Sequence, residues 1–149
     1  MAETLKARLL DSDRRGAVVE DLNALVDGEV ANKSGLSGGV VKTGYAGVKK
    51  VKPGIIREAI DKMLDEFVDQ LEPFWATFTT EPGGDFGTFL AARPDEVSDA
   101  LLTVTDRRAE RSSRAAITSI YGKLRPKARE NVIEALPGLG AVIEKHART

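Results

Sequence analysis

From Ile56 to Phe78 the chain repeats apolar side chains every three or four positions, and that period decides most of what it can become. Ile56, Ile60, Met63, Phe67, Leu71 and Phe74 fall on one stripe of a helix, and Ala59, Leu64, Val68, Trp75 and Phe78 widen it. So wide a stripe demands partners, because a large apolar side chain left in water forgoes about 1.5–3 kcal/mol of burial. Pro53 suits the first turn of this helix, and Pro73 is expected to kink or end it.

The same period recurs on both sides. Val18, Leu22, Leu25, Val26 and Val30 predict a helix over about 12–33, opened by Asp11 and Asp13 and closed before Gly35. Between residues 37 and 52, Val40, Val41, Gly44, Val48 and Val51 share a helical face, but glycines 38, 39, 44 and 47 weaken any helix, so a short hairpin is the alternative. Residues 79–84 read as a Pro/Gly-rich loop. Beyond it, Asp85 can cap a short helix through Ala92, and Pro94-Asp95-Glu96 opens another with Val97, Ala100, Leu101 and Val104 inside. Ser112 or Ser113 can cap the next, with Ala116, Ile117, Ile120 and Leu124 inward, and two more helices are expected over 127–136 and 138–147. Without internal repeats or strand-helix alternation, the expectation is an all-α, single-domain helical bundle of about five to seven helices. It would span residues 1–149, with halves 1–78 and 85–149 joined by the Pro/Gly-rich loop.

Composition narrows the chemistry. The chain is 42% hydrophobic and 30% charged, which is globular usage. No apolar run approaches the roughly 20 residues of a membrane-spanning helix, and the first residues mix acids and bases without a signal-like apolar run, so a cytoplasmic location is expected. There is no cysteine and only one histidine, His146, which is read as an exposed terminal residue. Thiolate catalysis, sulfur-based zinc sites and Ser-His-Asp relays are therefore disfavoured. Neither a cofactor nor a metal is expected, and no spacing assembles a nucleophile, base and stabiliser, so the chain is not expected to be an enzyme.

Charge is arranged in blocks. The net charge is −3 over residues 1–32, +6 over 33–57, −10 over 58–106 and +6 over 107–149, although the whole chain sums to −1. Asp61, Asp65, Asp69 and Glu72 step by four, four and three, forming an acidic ridge whose like charges repel unless bases lie against it. Candidate bases are Lys42, Lys49, Lys50 and Lys52, or Arg107, Arg108, Arg111 and Arg114. These same cations are the candidate anion- or partner-binding residues, and the acids the candidate docking ridge. Against nucleic acid as the polyanion stands a sequence pI near 5.9.

Several tempting motifs fail on context. Residues 35–43 contain glycines before Lys42-Thr43, but Val41 precedes the lysine and no strand precedes the loop, so it is not a phosphate loop. Tyr45 and Lys49 have the spacing of short-chain dehydrogenases, and Asp85-Phe86-Gly87 spells a kinase tripeptide, yet neither has its surrounding fold. Gly44 and Gly47 instead suit close approach of another helix. Phe67, Phe74, Trp75, Phe78, Phe86 and Phe89 cluster around the Pro/Gly-rich loop and form core or line an apolar pocket.

Residues 30–39 (Val30-Ala31-Asn32-Lys33-Ser34-Gly35-Leu36-Ser37-Gly38-Gly39), followed by Gly44-Tyr45-Ala46-Gly47 and Lys52-Pro53-Gly54, resemble a family of small uncharacterised actinobacterial proteins classed as a domain of unknown function. The similarity implies no activity, ligand or site residue. The leading functional expectation is thus a non-enzymatic protein-protein interaction or structural module, self-associating or docking a partner through segregated charge. The alternatives are a binder of an anionic or amphipathic small molecule, or peripheral contact with an anionic membrane surface through the Lys-rich segment 33–57.

Overall fold

The apolar stripe is carried by a single helix, α4 (Ile55–Thr80), which buries Ile60, Leu64, Val68, Leu71, Trp75 and Phe78. The computed structural model describes residues 4–32, 35–51, 54–80 and 84–148, and in residues 35–38 and 40 the backbone only. The expectations placed on Lys52, Pro53 and residues 81–83 lie outside the described residues. Against α4 pack α1 (Leu5–Leu9), α2 (Ser12–Ala31), α3 (Gly35–Val51), α5 (Phe86–Ala91) and α6 (Pro94–Arg111), and α7 (Ala115–Ala147) packs in turn against these five helices. The described residues thus form an all-α domain of seven helices without a strand, at the upper end of the expected number.

Local signals act largely where they stand. Asp11 caps α2 by accepting the Asp13 N–H at 3.0 Å, and Asp85 caps α5 by accepting the Thr88 N–H at 2.8 Å. Pro94 opens α6 in its first turn, followed by Asp95 and Glu96 at the positive end of the helix.

Three expectations are corrected. Pro73 does not end α4, which runs on to Thr80. Pro73 and Asp69 are exposed, so the carbonyl four residues back that loses its N–H partner lies on the solvated side. Meanwhile Trp75 and Phe78 extend the buried stripe. The three helices expected after residue 112 are one helix, α7, about 50 Å long at 1.5 Å per residue. Pro126 and Pro137 sit inside it on exposed positions, and Leu136, Gly140, Ile143 and Ala147 keep its inner face continuous across the second proline. Ser112 does not cap α7 either, because Arg114 occupies the cap position and the Ser112 hydroxyl accepts the Arg114 N–H at 3.2 Å.

The glycine-rich stretch is helical rather than a hairpin. A Cβ at Gly44 would lie 2.8 Å from Leu124 Cδ2, and one at Gly47 3.3 Å from Ile120 Cδ1. The propensity lost at these glycines, roughly 1 kcal/mol each, is offset by the close packing of α3 on α7. A tighter crossing joins α5 to α7, where a Cβ at Gly140 would stand 2.3 Å from the Gly87 Cα.

The core is not evenly distributed. Leu5, Leu9, Val18, Leu22, Leu64, Val68, Leu71, Phe86, Leu90, Val97, Leu136 and Ile143 belong to one buried cluster, fed by α1, α2, α4, α5, α6 and the C-terminal part of α7. Neither α3 nor the part of α7 before Val132 contributes to it among the described residues. At that other end of the molecule Ile117, Ile120 and Leu124 of α7 stay half-buried, facing Val48, Ile55 and Met63, which are also half-buried.

Candidate binding groove

This underfilled end opens as a cavity of about 420 Å³ between α3, α4, α6 and α7. Val48 on α3, Ile55, Ile56, Ala59 and Met63 on α4, Ala109 on α6 and Ile117, Ile120 and Leu124 on α7 supply its apolar lining. Helical spacing delivers these residues: 55, 56, 59 and 63 follow one face of α4, as 117, 120, 121 and 124 do on α7. The volume lies in the range of about 300–1,000 Å³ usual for small-molecule sites.

Cations stand around the lining. Lys62, Arg108, Arg111 and Arg114 border the cavity, against the single carboxylate of Glu58. Lys62 pairs with Glu58 at 2.8 Å, and Arg111 reaches Glu66 at 3.5 Å. Arg108 and Arg114 are exposed and make no ion pair among the described residues. Of the basic block 107–114, Arg107 is exposed and does not border the cavity.

A polar network braces the wall between α6 and α7. The Tyr121 hydroxyl donates to Asp106 and lies 2.8 Å from Thr105 Oγ1, while Arg125 donates to both Asp106 oxygens at 2.9 and 3.2 Å. Arg125, and then Tyr121, hold the Asp106 carboxyl below its ordinary range. Burial, reinforced by Asp106, pushes the Tyr121 phenol up to about 12, so it stays protonated at neutral pH and serves as a donor.

The other candidate residues lie elsewhere. On α3, Lys49 pairs with Asp27 at 3.2 Å and stands 4.8 Å from the Tyr45 ring centroid, while the Tyr45 hydroxyl donates to the same carboxylate. Burial and Asp27 raise the Tyr45 phenol well above its ordinary value. Lys42 and Lys50 are exposed on α3, and among the described residues α3 contributes nothing to the buried cluster that holds the aromatics. Those lysines therefore do not form one site with the aromatic cluster.

The acidic ridge finds its base inside the chain and from an unexpected helix. Arg15 on α2 donates from Nε to Asp61 at 2.9 Å and from Nη1 to Asp65 at 2.6 Å. Glu72 accepts the backbone N–H of Lys6 at 2.9 Å, and Asp69 is exposed beside it on a shallow surface near Thr4 and Pro73. Among the described residues the basic block 107–114, at the end of α6 and just beyond it, contributes only Arg111, to Glu66 rather than to the ridge acids.

The aromatic cluster is core rather than pocket. Trp75 is 5% exposed and Phe86 fully buried, with ring centroids 5.0 Å apart at an interplanar angle of 89°, and the Phe78 ring meets Trp75, Phe86 and Phe89 in tilted or edge-on contacts with centroids within 5.5 Å. Phe67, Phe74 and Phe89 are half-buried against the same cluster, and none of the six aromatics borders the groove.

His146 is buried, contrary to the expectation of an exposed terminal residue. It is 8% exposed, with Nε2 2.6 Å from Asp21, which also meets Lys145 at 3.1 Å. The last turn of α7 is held there because Arg8 donates to the Ala147 carbonyl at 3.0 Å and Arg14 to the His146 carbonyl at 2.8 Å, satisfying helix-end acceptors. The short helix α1, which sequence periodicity missed, contributes the first of these arginines.

Among the described residues no helix is long and apolar enough to cross a membrane. No curated protein and no solved structure matches the chain. A family model covers it almost end to end, from residue 5 to residue 147, and on that match the chain belongs to the family described as Family of unknown function (DUF6918).

Proposed function

We propose that this chain is a non-enzymatic, cytoplasmic binding module that takes up a small amphipathic molecule in the groove between α3, α4, α6 and α7. One observation carries the reading: apolar side chains from four helices converge on about 420 Å³ left unfilled at the end of the bundle away from the buried core cluster. Exposed apolar surface forgoes about 25 cal/mol per Å² of burial, so a persistent concavity of this lining is a place where an apolar guest gains what the chain itself leaves unused. The reading assigns the groove no catalytic step, since the Tyr121 hydroxyl that borders it is committed to Asp106.

Self-association through segregated charge has less support, because Asp61 and Asp65 are already bridged by Arg15 and Asp27 by Lys49 within one chain. Fluorescence titration with a neutral apolar dye tests the groove without involving charge. Saturable one-to-one binding is expected in the native chain, together with its loss in Ala59→Phe and Ala109→Phe, which fill the cavity from two sides. Absence of saturable binding, or equal binding by both filled variants, overturns the reading.

A further inference from the structure

We infer that the occupant of this groove is a single free amphipath bearing a carboxylate or phosphate monoester head, held at the rim by Arg108 and Arg114 with its apolar tail in the cavity. The inference rests on the groove reading above and adds the head-group chemistry. Around the cavity Lys62 is balanced by Glu58 and Arg111 by Glu66, which leaves the guanidinium groups of Arg108 and Arg114 as the charge without an ionic partner among the described residues. A guanidinium presents a planar fork of donors that matches a carboxylate or phosphate oxygen pair, and next to low-dielectric apolar walls its attraction is screened less than in open water. Cationic and neutral heads gain nothing from that rim. The bounded volume favours a monomer over a lipid surface or a helical peptide, whose anchors spread over several turns.

The test is calorimetric titration of the full chain with dodecanoate, dodecyl phosphate, dodecanol and dodecyltrimethylammonium, each below its micelle concentration. Both anions are expected to bind one-to-one and about tenfold more tightly than the alcohol or the cation, the gain of charge-assisted hydrogen bonds at partly solvated groups. Arg108→Gln with Arg114→Gln should bring the anions down to the alcohol's affinity while leaving the alcohol unchanged. Both arginines are exposed, so the variant is expected to keep its fold, and each single substitution should remove part of the preference.

If the alcohol binds and Ala59→Phe abolishes it, but the anions show no advantage or keep it in the double variant, the head-group inference falls and the groove reading stands. If none of the four binds, both fall. Inorganic phosphate binding as tightly as dodecyl phosphate overturns the role of the tail. Sedimentation with phosphatidylglycerol vesicles, without binding of monomeric anions, overturns the free amphipath in favour of a membrane surface.

Discussion

Replacing Gly140 by alanine puts one methyl group where two helices meet backbone to backbone. The new Cβ would lie 2.3 Å from both the Cα and the N of Gly87 and 2.7 Å from the Phe86 carbonyl carbon. Comfortable separations are about 3.5–4.0 Å, so the helices must part by more than an ångström. No flexible side chain can yield there. Overpacking of this kind costs typically 1–3 kcal/mol, and the backbone contact places Gly140→Ala toward the upper end. Alanine recovers about 1 kcal/mol of helix propensity, which leaves a net loss of about 1–2 kcal/mol. For a domain of this size that lowers Tm by roughly 3–8 °C. Gly122 supplies the internal control: it lies in the same helix, is exposed, and a Cβ there meets nothing within 4 Å. Gly122→Ala should therefore stabilise the chain by about 0.5–1 kcal/mol. Thermal and urea unfolding followed by far-UV circular dichroism measures both. Gly140→Ala at or above native stability, or equal shifts of the same sign in the two variants, would refute the close crossing of α5 on α7.

Pro126 lies exposed inside α7, so Pro126→Ala should restore a helical hydrogen bond and raise stability by about 1–3 kcal/mol, read from the urea midpoint. Removing the bridge to Asp61 and Asp65 with Arg15→Gln should cost less than about 1 kcal/mol, since both carboxylates are more than half exposed, and 1 M salt should shrink the difference. The carboxyl of Asp106 is depressed by Arg125 and Tyr121, so its contribution is present above its ordinary value of 3.8 and is lost as pH falls through the depressed one. Asp106→Asn should accordingly be less stable than the native chain at pH 7, with the gap closing below pH 3.8 in acid titrations followed by circular dichroism.

How much of this was legible depends on whether a feature is local or built by tertiary contact. The stripe on α4 was readable because eleven apolar positions carry one period, and the Asp85 cap because a cap is decided within four residues. The segment around Gly44 and Gly47 stayed ambiguous between helix and hairpin, although close approach of another helix was foreseen there. Local propensity argues against a helix, and only the packing of Leu124 and Ile120 shows why one forms. Pro73 misled for the opposite reason, since a local rule against proline yields where the ring sits on the solvated face and the inner face stays apolar, and the helix boundaries expected beside Pro126 and Pro137 vanish in the same way. Helix α1 has five residues, too few to display a period, and without it neither the Arg8 clamp nor the buried position of His146 could be inferred. The groove was half visible. The arginines of 107–114 and the apolar 117, 120 and 124 were each marked, but their meeting with Ile55, Ala59 and Met63 is a property of the fold. Gly87 was dismissed as part of a chance tripeptide, and its role is steric.

The central functional claim is that the open end of the bundle, and not its aromatic core or its acidic ridge, receives the ligand. Backbone amide and methyl NMR shifts recorded while dodecanoate is added to the native chain test this residue by residue. Saturable shifts are expected at Ile55, Ala59, Met63, Arg108, Ile117, Ile120 and Leu124, with Trp75, Phe86 and Asp65 unmoved. Shifts centred on Trp75 and Phe86, or spread evenly over the charged faces without saturation, would contradict it.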